Sequence, residues 1–157
     1  TKRYAHSYIG IGVTAKAVSE LNKESLTRWK EIKIVTRNLL NVRHFALTNS
    51  EGKTKNYDSV VFANIHRMSK VIRLNDKTNL HDGLFNMATI EHRSRAKFLY
   101  ILLKLVVVGA RDFPTLSDYS FRLKYPQIGQ LDGEVIALPA NTNMKVSIND
   151  KLIRTIR

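Results

Sequence analysis

The 157-residue sequence has no cysteine, three prolines, seven glycines and a single tryptophan. Without cysteine there is no disulfide scaffold, no thiolate zinc site and no cysteine nucleophile, which fits a reducing compartment. The scarcity of Gly and Pro, with 43% hydrophobic residues, excludes a low-complexity or disordered chain and calls for a packed core. Long apolar runs are also missing. The most apolar stretch, residues 98–110, is broken by Lys104 and is too short to span a bilayer. No targeting segment is visible. The five histidines, His6, His44, His66, His81 and His92, lack zinc-helix spacing, and no Gly-x-Ser-x-Gly elbow occurs.

Acidic residues are scarce too. Thirteen Asp and Glu face 26 Lys and Arg, for a net charge of +13. Such a field attracts polyanions, so an anionic membrane surface and nucleic acid are both candidates. A solvated basic face opposite an acidic neighbour is the plain alternative.

The pattern along the chain is that of one domain, residues 1–157, with many short strands and a few helices. Strands are expected over residues 5–12, 42–48, 57–66, 70–74, 84–91, 118–125, 128–131, 135–138, 144–149 and 151–156. In 118–125, Tyr119, Phe121, Leu123 and Tyr125 alternate onto one face. Helices are expected over residues 14–21, capped by Thr14, over 25–41 and over 95–108. The expected class is a β-rich α+β fold, an antiparallel β-sandwich with helical insertions. Asn49-Ser50-Glu51-Gly52 reads as a hairpin turn.

Two acidic turns stand out from this background: Asp82-Gly83 and Asp132-Gly133-Glu134, fifty residues apart from Asp to Asp. Each Gly allows a sharp turn that presents a neighbouring carboxylate. Either turn alone reads first as a hairpin connection. Upstream lies Tyr8-Ile9-Gly10-Ile11-Gly12, which lacks the third glycine of a dinucleotide fingerprint.

Taken in order, these segments resemble the C-terminal domain of the diacylglycerol kinase and sphingosine kinase superfamily. The resemblance rests on the Gly-Ile-Gly turn, the strand Val60-Val61-Phe62-Ala63-Asn64, and the loop Asn79-Leu80-His81-Asp82-Gly83-Leu84. It continues through the strand and apolar helix that follow, and ends at Asp132-Gly133-Glu134 with a last set of strands. The family's nucleotide-binding domain, with its Gly-Gly-Asp-Gly-Thr phosphate loop, normally comes first, and these residues do not contain it. The resemblance therefore implies the lipid-facing half of a two-domain kinase, either an excised fragment or a free-standing relic, inactive without its nucleotide-binding domain; the N-terminal Thr1 suggests a start inside a longer gene product.

It further implies that Glu134 is the catalytic base at the lipid hydroxyl, with Asp132 and Gly133 supporting the turn and Gly133 near the nucleotide phosphates. A carboxylate suits that task chemically, because phosphorylating a hydroxyl needs a group that orients it and takes its proton. Asp82 corresponds to a ligand of a structural Mg²⁺ in the family, with main-chain oxygens of Asn79 and Leu84 completing the protein's share. The implied co-substrate is ATP. The implied partners are a lipid substrate, an anionic membrane surface and the nucleotide-binding domain, at a cytoplasmic, membrane-peripheral location.

The family's glycines after the central Asn are absent from Ile65-His66-Arg67-Met68-Ser69, and its Pro is absent from residues 74–78. The lipid thus stays open among diacylglycerol, a sphingoid base and another lipid. Two other readings stand beside the kinase: a basic nucleic-acid-binding β-rich module, and a non-catalytic interaction domain derived from a kinase. The nucleic-acid module has no RNA-recognition signature behind it, so nucleic acid is not the expected partner.

Overall fold

A computed structural model describes residues 2–13, 15, 43–65, 82–94, 96, 100 and 113–148. The expected helices over 25–41 and 95–108, the strands over 70–74 and 151–156, and the Thr14 cap lie wholly or mostly outside the described residues. Nine strands are seen: β1 (Tyr8–Gly12), β2 (Phe45–Asn49), β3 (Thr54–Ala63), β4 (Phe85–Glu91), β5 (Thr115–Leu116), β6 (Asp118–Leu123), β7 (Gln127–Leu131), β8 (Glu134–Leu138) and β9 (Asn143–Ser147). All described pairings are antiparallel. The β-rich expectation thus holds for the described residues, and the two layers are branches of one continuous sheet.

The branching follows from β3, which has three neighbours. β4 runs along one edge from Tyr57 to Ala63. The other edge is shared: β2 takes residues 54–57 and β1 takes residues 59–63. Asp58 sits between them, at a register break opposite β4. A bulge of this kind bends a strand and sharpens its twist. Gly12, at φ +87°, closes β1 beside the bulge, where an added Cβ would lie 2.5 Å from the Asp58 carbonyl oxygen and 2.7 Å from the Phe45 ring. Only glycine fits both that space and that dihedral.

From the fork one branch runs β1-β7-β8 and the other β2-β6-β9. They face each other across the core. Phe62 of β3 stacks on Phe121 of β6 at 5.8 Å between ring centroids and meets Phe85 edge-on, also at 5.8 Å. Ile11, Leu47, Val60 and Leu123 are fully or almost fully buried around them. A buried phenylalanine in such a cluster contributes about 2–3 kcal/mol through area removed from water, with a further gain from ring contacts. The period of two sends Val61 and Ala63 to the opposite face, against Tyr8, Ile65, Ala88 and Phe113.

Strand ends differ from expectation where turn chemistry takes over. β3 starts at Thr54, because Asn49 closes a tight hairpin by accepting the Glu51 and Lys53 N–H groups through Oδ1. β6 ends at Leu123, which leaves Tyr125 60% exposed and off the face it was expected to share. Among the described residues no helix is long and apolar enough to cross a membrane.

Candidate functional site

The β7–β8 hairpin is a two-residue turn, with Leu131 paired to Glu134 and both Asp132 (φ 48°) and Gly133 (φ 96°) in the left-handed region. That pair of dihedrals is the primed turn that Asp-Gly favours. The Asp132 carboxylate reaches across to the chain entering β1. It accepts main-chain N–H groups of His6, of Ser7 at 2.8 Å and of Tyr8 at 2.9 Å. The Asp132 N–H in turn donates to the Tyr8 carbonyl at 3.1 Å. Partial burial pushes the Asp132 pKa up, but the donations from Tyr8, His6 and Ser7 outweigh it and hold the carboxyl below its ordinary value. The Tyr8 phenol moves up, by burial first and then by the negative charge of Asp132.

Glu134 is the first residue of β8 and is exposed. Its side chain is placed by the turn, with Asp132 fixing the turn from one side and the ladder to Leu131 from the other.

The second acidic turn lies at the same end of the sheet. Tyr8 is opposite Ala63, and Ala63 is opposite Asn86 near the start of β4, so the loop entering β4 sits beside the start of β1 and the end of β3. In that loop Asp82 accepts the Leu84 N–H through Oδ1 at 2.9 Å, and Gly83 takes φ 71°. This is an Asx turn, in which the side chain stands in for a main-chain acceptor. Asp82 is exposed and supplies a hard oxygen donor of the kind Mg²⁺ prefers, and Leu84 brings its carbonyl into the same loop. Asn79, the third expected ligand, lies outside the described residues. Among the described residues no cluster of three His, Asp or Glu side chains is placed to hold a metal ion, so such a site would lean on main-chain oxygens.

A cavity of about 690 Å³ opens at this end, between the segment entering β1, the ends of β3 and β9, and the start of β4. Ile9, Phe62, Phe85, Val146 and Ile148 supply apolar wall, while Lys2, Arg3 and Lys145 are exposed residues lining it. His6, Ser7 and Tyr8 both line the cavity and hold Asp132, so the acidic turn and the cavity share one piece of backbone. Asn64 also lines it, with its Oδ1 buried and without a partner among the described residues. The cavity was not legible in the sequence, because its lining comes from four separated segments.

A second constellation went unnoticed in the sequence. Asp58, at the bulge, is 2% exposed and sits 2.8 Å from Nδ1 of His92. The His44 ring stacks on His92 at 4.2 Å. This group lies toward the other ends of β1 and β4. Asp58 was one charge in an alternating strand, and nothing local marks it as buried.

No protein-family profile matches the chain, and no curated protein matches it. Solved structures do. Two described as a putative diacylglycerol kinase from Bacillus anthracis str. Sterne superpose with TM-scores of 0.53 and 0.52, at 13% and 14% identity over 90% of this chain. A third, described as a diacylglycerol kinase from the same strain, gives 0.52 at 9% identity over 85% of this chain. The match takes in 49%, 47% and 43% of those chains, so this chain spans about half the length of the structures it resembles. The strands described above, with their forked antiparallel sheet, thus have a lipid-kinase-like fold corresponding to about half of such a structure.

Proposed function

We propose that the chain is the lipid-facing half of an ATP-dependent lipid kinase of the diacylglycerol kinase type, working at a membrane surface on the cytoplasmic side. The observation that carries this reading is the convergence of both acidic turns on one end of the sheet, beside an apolar-walled cavity whose backbone also holds Asp132. The fold likeness supports it independently. A lipid hydroxyl seated at the cavity would lose its proton to the Glu134 carboxylate as its oxygen bonds to the γ-phosphorus of ATP. The bond from that phosphorus to the β-phosphate oxygen breaks, and ADP leaves. Asp132 acts on the turn rather than on the substrate: with its oxygens committed to main-chain amides, it keeps Glu134 in position. Mg²⁺ bound at Asp82 with main-chain oxygens of Leu84 and Asn79 would stiffen the loop entering β4. The nucleotide and its phosphate loop belong to a second domain in this reading.

The test is Glu134→Gln in the two-domain enzyme, assayed by transfer of labelled phosphate from ATP to a panel of lipids. Turnover should fall by about 10²–10⁴-fold, as for other positioned bases, with the unfolding midpoint unchanged. A loss below roughly tenfold removes Glu134 from the chemistry. Phosphorylation of a lipid by the 157-residue chain alone would overturn the two-domain reading.

A further inference from the structure

The cavity beside the acidic turns is two-sided in its chemistry. Its wall is apolar at Ile9, Phe62, Phe85, Val146 and Ile148. Its exposed lining is cationic at Lys2, Arg3 and Lys145, with His6 nearby. Among the described lining residues there is no Asp or Glu. The carboxylate paired to this rim is Asp118, 3.6 Å from Lys145 in a contact where both side chains are more than half exposed. Lys2 and Arg3 have no such carboxylate partner among the described residues. The volume lies in the range of sites that enclose one small amphiphile.

The geometry points to a specific occupant: an amphiphile whose headgroup carries a negative charge. Its chain lies on the apolar wall, and its charge meets Lys2, Arg3 and Lys145. This rests on the lipid-kinase reading and narrows it, because a rim of this sign favours an anionic lipid over a neutral one and opposes a cationic sphingoid base. Attraction at such a rim acts within a Debye length, so it works on the headgroup and not along the chain.

Three single-chain amphiphiles of equal chain length separate the outcomes: a lysophosphatidylglycerol, a monoacylglycerol and a sphingoid base. Each is titrated below its micelle concentration into the 157-residue chain at physiological salt, with calorimetric readout. The anionic probe should bind about tenfold tighter than the neutral one, and the cationic probe weakest. Reversing the rim (Lys2→Glu, Arg3→Glu, Lys145→Glu) should remove the anionic preference, so that the anionic probe binds no tighter than monoacylglycerol. A distal reversal with the same change in net charge (Lys53→Glu, Arg93→Glu, Lys124→Glu) should preserve the ranking.

Equal affinity for all three probes overturns the headgroup inference while leaving a lipid-binding chain. Equal losses in the rim and distal variants overturn it too, because the preference is then the field of the whole molecule. Binding of none of the three overturns both this inference and the lipid reading. The ranking by the unaltered chain keeps the test decisive should a charge-reversed variant fail to fold.

Discussion

At one end of the sheet Asp132 is exposed and accepts three main-chain N–H groups; at the other, Asp58 is buried and has the His92 ring as its partner. Both carboxylates sit where strand regularity breaks, one at a primed hairpin and one at a bulge. They solve the same problem by opposite means. Asp132 is held by backbone amides, whose position depends on the path of the chain and not on particular side chains. Asp58 is held by one side chain, and its backbone is crowded by Gly12 and Phe45. The first arrangement leaves the next side chain, Glu134, exposed, as the proposed catalytic role requires. The second is built into the fork that makes two layers from one sheet. The comparison teaches that a carboxylate at a turn can order a neighbouring exposed side chain, whereas a carboxylate at a bulge is tied into the architecture of the sheet.

The sharpest way to break this division is by turnover in the proposed two-domain enzyme. Glu134→Gln should cost about 10²–10⁴-fold there, while His92→Gln at the other end should leave turnover within about threefold. Equal losses would erase the distinction between the ends.

Stability should rank the other way. Gly12→Ala places a Cβ against the Asp58 carbonyl and the Phe45 ring in a left-handed conformation, and should cost about 3 kcal/mol or more in urea unfolding. A loss under about 1 kcal/mol would mean that the fork tolerates a Cβ after all.

Next in size is Asp58→Ala, expected to cost about 2 kcal/mol by removing a buried partner of His92, with Asp58→Asn recovering part of it by keeping an acceptor. Asp132→Ala should cost less, about 1 kcal/mol, comparable to losing a helix cap, because the freed amides lie near solvent.

The acid limb of stability sharpens the comparison further. The Asp132 pKa is lowered on folding, so its contribution is fully present above the unfolded value of about 3.9 and is lost as pH falls through the folded value. Asp132→Asn should therefore flatten the fall in unfolding midpoint below about pH 4. The smallest effect belongs to the surface: breaking the Lys55–Glu91 pair, 2.6 Å apart with side chains 58% and 39% exposed, should leave the midpoint unmoved at high salt.

Much of this was legible one segment at a time. Asp132-Gly133 and Asn49–Gly52 announced their hairpins, because Gly takes left-handed dihedrals without strain, Asp tolerates them, and the Asn49 side chain accepts main-chain N–H groups within its own turn. The alternation of Tyr119, Phe121 and Leu123 placed a strand whose inner face is now seen against Phe62. Tyr125 followed the same period and still ended exposed, since periodicity says nothing about where a strand stops. At the candidate site, the sequence singled out Asp82, Asp132 and Glu134 through their glycines. It offered no sign of Lys2, Arg3, Asn64 or Lys145 as neighbours of one cavity, because cavity lining carries no local spacing.

What the sequence determined by itself was the set of local choices: strand after strand, the turns between them, and an excess of positive charge. These depend on dihedral preference and on a period of two, both properties of adjacent residues. What only the tertiary structure decided was which ends meet. The fork at Asp58, the stacking of Phe62 on Phe121 across the layers, and the binding of Asp132 to the amides of His6, Ser7 and Tyr8 join residues far apart in the chain. Such pairings are selected by burial and by the need to satisfy every buried polar group at once, and no window of sequence contains that condition.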